Sequence, residues 1–152
     1  MEIAELISPQ TVFVDVKASS KKQVLQELAR RAAVATGCSE RDILTVLIER
    51  ERLGTTGVGK GIAIPHGKLK SLKKIHGFFA RLDSSVDFDA MDDMPVDLVF
   101  LLLAPDDGGA DHLKALARVS RTLRDTNRCE RLRGTENADA LFAVLTEDSV
   151  TA

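Results

Sequence analysis

From Leu98 to Ala104 the chain carries an unbroken apolar run, and no other stretch restricts its architecture as tightly. Seven residues are far too few to cross a bilayer as a helix, so membrane insertion is not expected. A run of that length without polar alternation reads instead as a strand buried on both faces, at the centre of a sheet covered by helices on each side. The strand is expected over Val96 to Leu103, beside a second over Ile75 to Leu82. With 152 residues, 44% of them hydrophobic, the chain has enough material for one domain with a sizeable core.

The flanking segments supply the covering layers. After a short apolar stretch, Ile3 to Ile7, the β-branched content of Thr11 to Val16 favours a first strand. Ser19 or Ser20 can cap a helix whose apolar stripe is Val24, Leu25, Leu28, Ala32 and Val34 or Ala35, and Gly37 can end it. Ser39 offers a second cap, with Ile43, Leu44, Leu47 and Ile48 as the buried face of a shorter helix that delivers Arg50 and Arg52 to a glycine-rich loop. Beyond the apolar run, Asp111 is the expected cap of a helix with Leu113, Leu116, Ala117, Ser120 and Leu123 at core spacing, placing His112 in its first turn. A helical turn over Asn127 to Leu132 and a closing helix over Asn137 to Leu145 precede a polar end. The expected fold class is α/β, one domain over residues 1–152, and no linker or repeat divides it.

Charge and cysteine usage narrow the function classes. A net charge of −2, from 21 basic and 23 acidic residues, announces neither nucleic-acid binding nor a solvating acidic chain. Cys38 and Cys129 stand apart without ligand spacing, no carboxylate or cysteine set suggests a metal, and no basic segment followed by an apolar core opens the chain. A cytoplasmic protein without cofactor or metal is expected.

Chemistry points to one place, the loop that ends in Pro65, His66 and Gly67. Glycines let backbone amides approach an anion, and an imidazole at the end of such a turn is a histidine beside a phosphate cradle. Gly54 to Lys60 satisfies the first seven positions of a nucleotide-binding GxxxxGK[ST] loop, but the eighth is Gly61, without the hydroxyl that magnesium needs. Gly57, Gly59 and Gly61 are spaced GxGxG, so the dinucleotide pattern fails as well. Groups of this loop able to meet an anion are the Gly57 and Gly59 amides and a Thr55 or Thr56 hydroxyl. Arg50 and Arg52 point different ways from a helix, and spacing alone leaves both open. His76 falls outside every motif and reads as an ordinary strand residue, and Lys68, Lys70, Lys73 and Lys74 read as solvated charges.

Taken whole, the run from Arg50 to Gly67 resembles the phosphorylation-site signature of the fructose and mannitol type enzyme IIA of the bacterial phosphotransferase system. Glu51, Val58, Gly59, Ile62, Ala63, Ile64, Pro65, His66 and Gly67 carry the match, which continues through Phe88 to Phe100 and Asp111-His112-Leu113. Its nearest form is the nitrogen-related enzyme IIA. The resemblance implies a mixed central sheet flanked by helices and a phosphocarrier in which His66 takes a phosphoryl group from a histidine-containing phosphocarrier protein. It assigns His112 as the second active-site histidine and chooses Arg50 over Arg52. It also implies regulation of partners such as transporters or sensor kinases. A sugar-uptake component for fructose or mannitol is the alternative within the family; an interaction module switched by phosphorylation, without onward transfer, is the alternative outside it.

Overall fold

A computed structural model describes residues 1–147. The apolar run forms β6 (Val96–Pro105), the middle of a six-stranded sheet. Leu98, Phe100 and Leu102 face one side and Val99, Leu101 and Leu103 the other, all fully buried. Burying each contributes about 1.5–3 kcal/mol, and together they fix the strand between two helical layers. β5 (His76–Val86) pairs antiparallel with one edge of β6, with Phe79 opposite Phe100, and β1 (Val12–Val16) lies parallel beyond it. On the other edge run β3 (Ile62–Ala63) and β4 (His66–Leu69), both parallel to β6, and β2 (Gly57–Gly59) turns back antiparallel on β3. The expected mixed sheet between helices is the observed one.

The first layer holds α2 (Lys21–Thr36) and α3 (Glu40–Arg52), whose Val24, Leu28, Ile43 and Leu47 pack on the Val99 side of β6. Their ends are those the sequence indicates. The Ser20 hydroxyl accepts from the Gln23 amide, the Ser39 hydroxyl accepts from the Asp42 amide, and Gly37 closes α2 in the left-handed region at φ 76°. The second layer holds α1 (Ile3–Leu6), α4 (Gly109–Leu123), α5 (Thr126–Gly134) and α6 (Ala138–Thr146) against the Phe100 side. Asp125 and Asn137 cap the last two. The polar end expected after α6 lies outside the described residues.

α4 departs from expectation in its start and its buried face. It begins at Gly109 after Gly108, without a side-chain cap, so Asp111 lies inside the first turn rather than before it. The buried stripe is His112, Ala115, Val119, Thr122 and Leu123; Leu116 and Ser120 are half-buried, Ala117 is exposed and Leu113 is 68% exposed. The expected and observed stripes are both helically periodic and lie one residue apart, about 100° of rotation. The helix turns inward the stripe that carries His112.

Candidate functional site

β3 and β4 are one strand interrupted. Ile62 opposes Leu98 and His66 opposes Leu102, the same offset along β6, so register is kept across the break at Ile64 and Pro65. Pro65 has no amide to give the ladder, although its carbonyl still accepts from the Leu102 amide at 2.9 Å. The Ile64 amide donates instead to the Thr56 carbonyl at 3.0 Å. The Ile64 carbonyl lies 2.9 Å from Nδ1 of the His66 ring.

These partners define one tautomer. A carbonyl oxygen only accepts, so Nδ1 carries the proton, and Arg50 Nε–H donates to His66 Nε2 at 3.0 Å, so Nε2 presents its lone pair. Arg50 sits in the last turn of α3 and is held by a second bond from Nη1 to the Gly54 carbonyl at 2.9 Å. The geometry places Arg50 on the imidazole; Arg52 is exposed and makes no hydrogen bond to it. Gly67 brings α3 close: a Cβ there would stand 2.8 Å from Val46 Cγ2.

From the opposite layer, α4 sets the His112 ring 5.5 Å from that of His66, centroid to centroid, at 53°. His112 is 6% exposed and, among the described residues, its Nδ1 is buried without a hydrogen-bond partner. A buried polar nitrogen left unpaired is costly. Burial lowers the pKa of both rings; the Arg50 charge adds to the effect at His66, while the Ile64 bond and Glu51 oppose it, and at His112 the neighbouring His66 and Lys68 add to it. Both shifts favour the neutral imidazole at pH 7.

The glycine loop takes a form different from a cradle. The Thr55 hydroxyl donates to the Phe88 carbonyl at 2.8 Å and accepts from the Gly57 amide at 3.0 Å, and Thr56 gives both its amide and its hydroxyl to Glu51. Gly57 packs against Ala90, with room for no Cβ, and Gly59, at φ 102°, lies beside the Asp92 carboxylate. Gly61, the residue that rules out a nucleotide loop, is at φ 82° under the Arg133–Asp97 ion pair. The donors expected of Thr55, Thr56 and Gly57 are thus engaged by Phe88, Glu51 and Thr55, and the groups on the His66 imidazole are Arg50 and the Ile64 carbonyl. Ile64 is visible in the sequence only as an apolar residue, because the group it contributes is backbone. His76 opens β5, outside this constellation. Among the described residues no cluster of His, Cys, Asp or Glu is placed to hold a metal, and no helix is long and apolar enough to cross a membrane.

The family model for the phosphoenolpyruvate-dependent sugar phosphotransferase system, EIIA 2, matches residues 5–148. The chain belongs to that EIIA type 2 family. A nitrogen regulatory protein of Bradyrhizobium diazoefficiens is 55% identical over 152 residues, covering 100% of this chain and 99% of its own. A fructose-specific EIIA component of Haloferax volcanii is 37% identical over 147 residues, 96% of each chain. The crystal structure of nitrogen regulatory protein IIA-Ntr from Neisseria meningitidis superposes with a TM-score of 0.89 at 33% identity, covering 95% of this chain and 99% of that one. In fold and sequence this EIIA domain is IIA-Ntr-like.

Proposed function

We propose that His66 Nε2 is a phosphoryl acceptor, charged in the cytoplasm by the phosphohistidine of a histidine-containing phosphocarrier protein, and that the resulting phosphorylation state regulates partner proteins. One observation carries the chemistry: a neutral imidazole with Nδ1–H tethered to Ile64 and the Nε2 lone pair turned to a guanidinium. As the donor's P–N bond breaks, the P–Nε2 bond forms, the donor imidazole leaves with the electron pair, and His66 Nδ1 keeps its proton. Arg50 releases the lone pair and turns its N–H groups onto the phosphoryl oxygens, where transition-state charge is spread. His112 supplies a ring N–H to the same oxygens. Leu53 at the end of α3 and Leu113 beside His112 are exposed apolar side chains suited to a protein donor.

The full-length likeness to a nitrogen regulatory protein favours regulation over sugar uptake. Phosphorylation would place a dianionic phosphoryl group on His66, a net gain of about one negative charge while Nδ1 keeps its proton, and so a local electrostatic switch for partners such as transporters or sensor kinases. The test is incubation with phosphoenolpyruvate and the purified general phosphotransfer proteins, followed by intact mass. An acid-labile adduct on the wild type and none on His66→Ala is expected; equal labelling of both would refute the assignment. Onward transfer to a sugar-specific acceptor would move the reading to uptake, and phosphorylation-dependent partner capture without transfer would support regulation.

A further inference from the structure

We infer that Glu51 is a positioning residue for His66, acting through Thr56 and the Ile64 carbonyl to hold the proton on Nδ1; this rests on His66 being the acceptor. The Glu51 side chain is 7% exposed, makes no hydrogen bond to the imidazole, and is matched in charge by Lys21 Nζ at 2.9 Å. Its two carboxylate oxygens take both donors of Thr56, the amide at 3.0 Å and the hydroxyl. Thr56, itself 4% exposed, then offers its carbonyl to the Ile64 amide at 3.0 Å, and the Ile64 carbonyl meets His66 Nδ1 at 2.9 Å. The chain of contacts is therefore Lys21, Glu51, Thr56, Ile64, His66, with no gap.

The position of the break makes this chain necessary. A strand carbonyl is ordinarily aimed by the ladder on either side of it, but at Ile64 the next residue is a proline without an amide, and the Ile64 amide bonds to Thr56, the residue before β2, rather than to β6. Thr56 is the lateral support of the peptide that fixes the tautomer, and Glu51 is what holds Thr56. α3 couples the two sides of the imidazole as well. Adjacent residues diverge by about 100° on a helix, so Arg50 reaches Nε2 while Glu51 reaches the loop that governs Nδ1, and one rigid turn sets both. A carboxylate that merely anchored the loop would leave the tautomer to itself.

The separating measurement is the His66 tautomer, read from the ring ¹⁵N shifts of the unphosphorylated protein, taken with the maximal phosphoryl-transfer rate and a thermal melt. Wild type should show the Nδ1–H form. Glu51→Ala should show a mixture with Nε2–H, and its maximal rate should fall about tenfold to a hundredfold, the scale of a displaced reacting group, at unchanged half-saturating donor. Glu51→Gln can accept from the Thr56 amide and donate to its hydroxyl, so it should recover the Nδ1–H tautomer and stay within about threefold of the wild-type rate. If Glu51→Ala does not fold, Thr56→Val, which removes only the hydroxyl bond, carries the same test with a smaller shift in the same direction. A folded Glu51→Ala or Thr56→Val protein with wild-type tautomer and rate overturns the inference, and so does a Glu51→Gln protein as impaired as Glu51→Ala. Label on His66→Ala would refute the acceptor while leaving the tautomer result standing, so the two failures are distinguishable.

Discussion

Replacing Gly67 by alanine tests the placement of Arg50 without touching any polar group of the site. The added Cβ would stand 2.8 Å from Val46 Cγ2 and 3.3 Å from Val46 Cβ, and relief to an ordinary 3.4 Å contact requires about 0.6 Å of movement between β4 and α3. Rotating Val46 out of the way is opposed by the stiffness of a β-branched side chain in a helix, so α3 is expected to give. Moved outward by that amount, Arg50 Nε would sit about 3.6 Å from His66 Nε2 instead of 3.0 Å, beyond hydrogen-bonding reach. The overpacking should cost about 1–3 kcal/mol in a urea titration, and the phosphoryl-transfer rate should fall about tenfold or more. Val46→Ala in the same chain removes the obstructing methyl groups and should restore much of both, giving a favourable coupling in the double-mutant cycle. A Gly67→Ala protein with wild-type midpoint and rate, or a double variant no better than the single, would refute the reasoning.

Two further outcomes follow from the same geometry. His66, His76 and His112 all have depressed pKa values through burial; the unfolded chain therefore binds protons that the folded one refuses, so stability is lost as pH falls below about 6.5 and is unaffected by these groups above it. Thermal melts across acidic and neutral buffers check this, and an unchanged midpoint below that pH would contradict it. Arg50→Lys keeps the charge but loses the fork that reaches both Nε2 and the Gly54 carbonyl; its transfer rate should drop about tenfold or more, whereas a wild-type rate would show that charge alone suffices.

Much of the frame was legible because it rests on strong local signals. Seven apolar residues in a row demand two covered faces, and Ser20, Ser39, Gly37 and Asn137 mark helix ends through backbone hydrogen bonds that depend on the residue type itself. The face of α4 differs from the expected one because Leu113 and His112 head stripes of equal period, and periodicity cannot say which one meets the sheet. The start of α4 differs because Gly108 and Gly109 carry no cap, while Asp111 looks like one. At the site, His66, His112 and Arg50 could be named from motif positions. The Ile64 carbonyl could not, since every residue has one and only the break in the strand turns this one toward the ring. Glu51 shows in the sequence as an acid on a charged helix; that it grips Thr56 depends on how the chain doubles back after Leu53.

If His66 carries the phosphoryl group as proposed, the two short strands on one rail have a consequence for how that state is recognised. β6 is bonded along both edges and packed on both faces, and His66 is registered against Leu102 within it. A strand held on both edges and both faces resists displacement, so charge gained at the ring is expected to act locally rather than through the core. Whatever distinguishes the two states must do so by sitting directly over the imidazole, within a screening length of about 8 Å. On the proposed function, a partner that senses phosphate and a donor that delivers it would compete for one patch, so occupancy by either would delay the other.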